Sequence, residues 1–265
     1  MTTFGATCIP QVPPERLRDV ARAAEDEGLD ELWIWEDCFW GGGVATAASA
    51  LAWTTRLRVG IGVLPVPLRN VALAAMETAA LHRLFPGRVI VGVGHGVQDW
   101  MGQVGARPES PVTLLREYIE ALRALLRGER VTTHGRYVHL DDVQLGWPPA
   151  AAPAVLAGAR GPRTLRLSGE VADGCILDQG TTPEEFRSAR ESIDAGRAVA
   201  GRSGPHRVVQ YLAAAGSADP SAIAETIRSL TAAGAGTVVL HPASAGQEDP
   251  VAHIRFAARQ VRPLL

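Results

Sequence analysis

Along most of the chain, short apolar runs alternate with segments whose apolar positions recur at helical spacing. FGATCI (4–9) reads as a strand, and PPERLRDVARAAEDEG (13–28) as a helix with Pro near its start and Gly28 just past its end. The strand ELWIW (31–35) leads to the helix VATAASALAW (44–53), and LRVGIGVL (57–64) to VALAAMETAALHRL (71–84). RVIVGVG (88–94) is a fourth strand, and PVTLLREYIEALRALLRG (111–128) a fourth helix. The rhythm then breaks: RVTTHGRYVHLDDVQL (130–145) alternates about Gly135 as a β-hairpin does, which predicts an excursion outside the main sheet. It resumes with PAVLAG (153–158) and PRTLRLSGEV (162–171), then GCILD (174–178) and PEEFRSARESIDAGRAVAG (183–201). HRVVQYLAAA (206–215) precedes PSAIAETIRSLTAAG (220–234), and GTVVLH (236–241) precedes PVAHIRFAARQV (250–261).

Eight βα units in 265 residues match the ~250 residues of a (β/α)8 TIM barrel. Short apolar strands separated by helices imply a parallel sheet, with a doubly wound open sheet as the competing arrangement. With no linker and no low-complexity segment, the expectation is a single barrel domain over residues 1–265.

Composition narrows the chemistry. The formal net charge is −2 and no basic stripe is present, so nucleic acid and anionic membranes are not expected partners. No apolar run approaches the ~18 residues of a membrane span, and no leader-like segment opens the chain. The three cysteines are scattered and form no CxxC, which fits a reducing cytosol and argues against a thiolate metal site. No HExxH or similar spacing suggests a metal, and no GxSxG elbow suggests a serine nucleophile. Every basic side chain is arginine, which excludes a lysine Schiff base and with it pyridoxal enzymes and class I aldolases.

In a barrel, function gathers on the loops after the strands' C-terminal ends. After the second strand, Glu36 and Asp37 stand among Trp33, Trp35 and Trp40, three of the chain's six tryptophans. In the third, Gly60 and Gly62 alternate, which marks packing against a neighbour or a close ligand approach. After the fourth comes GVGHGVQDW (92–100), where glycines flank His95; it lacks the spacing of a dinucleotide fingerprint. After the fifth, the backbone N–H groups of Gly158, Ala159, Arg160 and Gly161 form a candidate anion nest ahead of a helix, with Arg160 and Arg163 adding charge. His241, after the last strand, is a weaker rim candidate.

Taken in order, GLDELWIWEDCF, RLRVGIGVLPVPLRN, LFPGRVIVGVGHGVQDWMGQVGA and LAGARGPRTLRLSGEVADGCIL resemble the bacterial luciferase-like flavin and deazaflavin oxidoreductases. Within them the chain looks most like the coenzyme F420-dependent reductases and dehydrogenases. The resemblance runs from the first strand to about residue 180 and more loosely beyond. It implies a barrel holding F420, or alternatively FMN, at its C-terminal mouth for reaction with a small organic substrate. Hydride transfer to or from the deazaflavin C5 is the leading expectation. A two-component FMN monooxygenase and a non-catalytic cofactor-binding barrel are the alternatives, and a homodimer is common in the family.

By the same resemblance, Glu36 contacts the cofactor and Asp37 stands where some members carry a proton-donating histidine. A non-proline cis peptide maps onto Gly62–Val63, with Val63, Leu64 and Pro65 behind the ring. His95 and Gly96 match a polar-Gly pair that touches the cofactor, and Asp37 or His95 would handle the proton. Arg160, Gly161, Arg163 and Thr164 match the cradle for the phosphate-bearing tail. The chain departs from some members at Val97, where they have a catalytic Glu, and at Trp100, where a polar cofactor contact is common. The chain is short for the family, which implies a reduced substrate lid.

Overall fold

The computed structural model describes residues 2–244, 246 and 248–265. Its strands are β1 (Thr3–Thr7), β2 (Glu31–Ile34), β3 (Arg58–Pro65), β4 (Val89–Gly94), β5 (Val131–His134), β6 (His139–Val143), β7 (Val155–Gly158), β8 (Gly174–Leu177), β9 (Arg207–Ala214) and β10 (Thr237–Pro242). Its helices are α1 (Leu17–Asp26), α2 (Gly43–Ala52), α3 (Val71–Leu84), α4 (Gln98–Gln103), α5 (Pro111–Leu126), α6 (Pro162–Val171), α7 (Pro183–Val199), α8 (Pro220–Ala232) and α9 (Pro250–Phe256). Eight parallel strands close into a barrel, β1 pairing with both β2 and β10. The closed barrel, rather than the open sheet, is the observed arrangement.

The hairpin β5–β6 stands apart as a two-stranded antiparallel sheet. One carboxylate of α5 anchors it: Glu117 accepts the backbone N–H groups of Arg136, Tyr137 and Val138 at 2.8, 2.8 and 3.0 Å. The sequence missed α4. Six residues opening after a glycine-rich loop are too few to carry a helical period. The last helix passes into a π turn over Ala257–Val261.

Alternation along each strand sorts side chains between two cores. Leu32, Ile34, Val59, Ile61 and Leu64 join the large layer between strands and helices. Trp33, Ile90, Leu156, Ile176, Val209, Tyr211 and Val239 fill the barrel itself. Trp33 is fully buried, and by general transfer values an indole of this size gains roughly 4–6 kcal/mol from burial, as an upper bound. Beneath it, toward the strands' N-terminal ends, lies the fully buried carboxylate of Glu31. It accepts from Trp33 Nε1 at 2.9 Å and pairs with Arg207 at 2.6 Å and Arg58 at 2.5 Å. Arg207 also donates to Thr237 Oγ1 at 2.6 Å, so the acid and its partners floor the barrel.

The glycines of β3 serve this packing. A Cβ on Gly60 would lie within 2.6 Å of three indole atoms of Trp33, and one on Gly62 would lie 2.5 Å from Tyr211 Oη. Of the two readings of these glycines, the close side-chain neighbour is the one observed at Gly60. Gly60→Ala is therefore expected to destabilise the fold by about 1–3 kcal/mol. Gly146→Ala, where nothing lies within 4 Å of the added carbon, should stay within about 0.5 kcal/mol of wild type. Urea titration of both variants checks the contrast.

Candidate functional site at the barrel mouth

The alternation that points Glu31 and Trp33 into the barrel carries on past the end of β2. Trp35 packs on the barrel-interior cluster, and its Nε1–H donates to Asp37 Oδ2 at 2.8 Å. Glu36 belongs to the other parity. Its Oε2 accepts the Gly43 N–H opening α2 at 2.7 Å, where a negative charge suits the helix terminus. Arg69 grips both its oxygens at 2.9 and 3.3 Å and pairs with Glu77 at 2.8 Å. Its carboxylate thus ties the ends of β2, β3 and α2 together. Leu64 likewise is buried, packed toward Gly43 in the helix layer.

The tryptophans divide the same way. Trp33 is barrel packing, and Trp40 is 59% exposed, so neither supplies the apolar setting expected around the acids. Trp35 does. Its ring lies 5.4 Å from His241 and 6.1 Å from Tyr211. His241 Nδ1 shares a 3.3 Å hydrogen bond with Thr7 Oγ1, and Tyr211 Oη donates to the Gly62 carbonyl at 3.2 Å. Gly62–Val63 is a cis peptide, at the position the resemblance implied, and Cys38–Phe39 is a second one. The side chain of Val63 turns into the barrel, where a Cβ on Gly94 or Gly158 would meet it at 2.8 or 2.9 Å. Trp35, Val63, Tyr211 and His241 therefore make an apolar, aromatic floor to the mouth, with Asp37 above it.

His95 sits beside this floor and shares a 3.1 Å hydrogen bond between Nε2 and Thr164 Oγ1, which links the β4 loop to the first turn of α6. Burial holds its pKa below the usual histidine range, so the ring is neutral at pH 7. Gly96 has φ +66°, and a Cβ there would also lie 2.9 Å from Pro65 Cβ, so the turn requires glycine. Trp100 lies half-buried on α4. Gly158, Ala159, Arg160 and Gly161 lead into α6, whose N-terminus has Gly161 as N-cap and no side chain capping it. Open space surrounds the Cβ position of Gly161. A cavity of about 630 Å³ lies between this turn and the start of α7, lined by Arg160, Pro162, Asp178 and Thr181. Arg160 pairs with Asp178 across it, while Arg163 is exposed and in no ion pair among the described residues. The Ala159 N–H is taken by the Ile176 carbonyl at 3.1 Å and so drops out of the expected nest; the uncapped start of α6 and the Arg163 guanidinium are what suit an anion.

Val63 thus packs against the Gly94 and Gly158 positions, His95 is bonded to Thr164 on α6, and Asp37 is bonded to Trp35 on the floor, while Glu36 and Leu64 make their contacts in the helix layer. Sequence reading missed Arg69 and Tyr211. Tyr211 shares its inward parity with Val209 on β9, a signal present in the strand pattern; the Arg69 pairing is a long-range contact with no local sign. A second cavity, of about 960 Å³, lies at the barrel's other end, lined by Phe4, Asp30, Arg56 and Arg58. It is remote from these groups, at the face that in such barrels serves stability. Among the described residues no cluster fit to hold a metal occurs, and no helix is long and apolar enough to cross a membrane.

A family model for luciferase-like monooxygenases matches residues 1–261. A 5,10-methylenetetrahydromethanopterin reductase of Methanolobus tindarius is 33% identical over 201 residues, which cover 76% of this chain and 61% of that protein. An F420-dependent glucose-6-phosphate dehydrogenase of Nakamurella multipartita is 31% identical over 188 residues, covering 66% of this chain and 56% of that one. The chain thus spans about three fifths of the length of such relatives. Among solved structures, a coenzyme F420-dependent tetrahydromethanopterin reductase from Methanopyrus kandleri superposes with a TM-score of 0.85 at 21% identity, over 99% of both chains. An F420-dependent secondary alcohol dehydrogenase in complex with an F420-acetone adduct superposes with a TM-score of 0.87 at 18% identity, over 100% of this chain and 99% of that one. These two likenesses establish the fold.

Burial raises the Asp37 pKa above the usual carboxylate value, and the Trp35 N–H partly offsets it. Ionised Asp37 is then a cost to the folded state. Its contribution is most favourable below the unfolded value near 4 and is lost as pH rises through the folded one. Asp37→Asn keeps an acceptor for Trp35 and removes the charge. It is expected to be more stable than wild type at pH 7, with the gap closing as pH is lowered toward 4; urea titration at both pH values measures this.

Proposed function

Because the chain belongs to the luciferase-like monooxygenase family, we propose that it is an F420-dependent oxidoreductase that exchanges a hydride with a small organic substrate at the barrel mouth. The observation that carries this reading is an aromatic floor of Trp35, Tyr211 and His241, whose neighbour Val63 packs against Gly158 on the segment leading to the uncapped N-terminus of α6. That pairing suits a flat ring with an anionic tail. When bound, the deazaflavin supplies the hydride at its C5; the protein binds, orients and manages the proton.

Trp35, Val63 and Tyr211 would hold the ring. The first-turn N–H groups of α6, with Arg163, would take the phosphate-bearing tail, and Arg160 would join them when released from Asp178. Thr164 holds the neutral His95 toward the same turn. Asp37 is the leading proton donor: its burial favours the protonated acid, and Trp35 fixes one oxygen and leaves the other free of protein partners among the described residues. Glu36, locked by Arg69 and Gly43, is a positioning residue that sets the backbone on which Asp37 rides. A cytoplasmic location and a homodimer belong to the same reading. Leu73, Met76 and Leu84 leave α3 with an exposed apolar stripe, 46, 59 and 70% exposed, of the kind a second copy covers.

Fluorescence titration with F420 and with FMN tests the cofactor. F420 is expected to bind at micromolar concentration, and Arg163→Ala to weaken it about tenfold. FMN binding alone would redirect the reading to a flavin monooxygenase, and binding of neither would defeat it. The double change Met76→Glu, Leu84→Glu is expected to convert the dimer to a monomer in light scattering with the fold retained.

A further inference from the structure

A cavity of about 140 Å³ lies between the segment that follows β1 and the one that follows β10. Ile9, Val12 and Pro250 give it apolar walls, and Thr7, Glu248 and His253 supply polar groups. Thr7 also carries the hydroxyl bonded to His241 at the mouth floor, so the two spaces share that wall. By the share of volume a water takes in the liquid, there is room for about four or five non-hydrogen atoms.

The polar groups have one character. His253 is only 2% exposed, and its Nε2 lies 3.2 Å from the Leu240 carbonyl. A carbonyl can only accept, so Nε2 carries the ring hydrogen and Nδ1 presents a bare lone pair. That Nδ1 is buried and has no hydrogen-bond partner among the described residues. Glu248 Oε2, itself an acceptor, stands 4.0 Å from it. Burial holds the His253 pKa below the usual histidine range, against the opposing pull of the Leu240 carbonyl and Glu248, which favours a neutral ring with no hydrogen between the two. Gln11 Oε1 is a further buried acceptor without a partner. Arg16, the cation at the cavity's edge, is engaged with Asp249 at 2.8 Å. His253 Nδ1 and Gln11 Oε1, buried acceptors without a hydrogen among the described residues, carry a desolvation cost that a guest bearing N–H or O–H groups relieves.

We propose that this cavity binds a hydroxyl- or amino-terminated group on a short aliphatic arm. Resting on the hydride-transfer reading above, that arm is part of the substrate, and the site selects for it. Glu248 further favours an ammonium over a neutral donor and works against carboxylates and phosphates in the same place.

Long-range proton–nitrogen NMR of the His253 ring tests this with ethanolamine, propan-1-ol and propionate as probes. Ethanolamine and propan-1-ol are expected to shift Nδ1 saturably, and propionate to leave it unmoved. Glu248→Gln can still accept the Gly216 N–H that Glu248 Oε1 takes at 3.0 Å, and its amide offers His253 a hydrogen from within the protein. This variant is expected to bind both donor probes about tenfold more weakly, with a melting temperature no lower than wild type and unchanged F420 affinity. Equal response to propionate, undiminished binding in Glu248→Gln, or no shift with any probe would overturn the site. Probe binding as expected in a protein that does not bind F420 would overturn the substrate role and leave the binding site standing.

Discussion

An eight-stranded barrel encloses little space, and here one indole claims its centre. Trp33 fits because Gly60 has no side chain to oppose it, and because Glu31 beneath accepts its N–H. A Cβ on Gly5 would likewise come within 3.3 Å of the indole. Once that layer is filled, those above and below are constrained. The acid below draws in Arg58 and Arg207, since a buried carboxylate needs partners on every side. The next inward residue above, Trp35, has no room to descend and lies across the top, where it meets Tyr211 and His241. The floor of the mouth is thus the upper surface of a packed interior, rigid for the same reason that the interior is dense.

Position 37 takes its surroundings from this stacking. Two adjacent acids of similar chemistry take opposite fates because one residue step in an extended chain reverses the side chain. Glu36 enters a helix-terminus and arginine network. Asp37 enters an apolar recess with a single N–H partner, a setting that favours the neutral acid. Division of labour between neighbouring carboxylates follows from parity alone, without any special local sequence.

The order of strands and helices could be read because each unit is long enough to show its period, and the hairpin because it alternates about Gly135. α4 was hidden by its brevity. The placement of Asp37, Val63, His95 and the α6 turn at the C-terminal ends of strands was legible from the strand order, since barrels present function there. The separation of Glu36 from Asp37 was available in the parity: carrying the 31, 33, 35 alternation two residues past the strand puts the two side chains on opposite sides. The grip of Arg69 on Glu36 and the encounter of His253 with Glu248 depend on the paths of separate loops, which no local pattern encodes.

The tiered tryptophans also give the chain an optical character. Trp33 is sealed from solvent and held by a fixed ion network, so its emission is insulated from events outside the barrel. Trp35 donates its indole hydrogen to a carboxylate and lies tilted beside a histidine, both of which alter indole emission. One indole is therefore shielded while another, a single layer away, lies against two titratable groups, so that a change of charge at either would register in the second emission and leave the first as its reference.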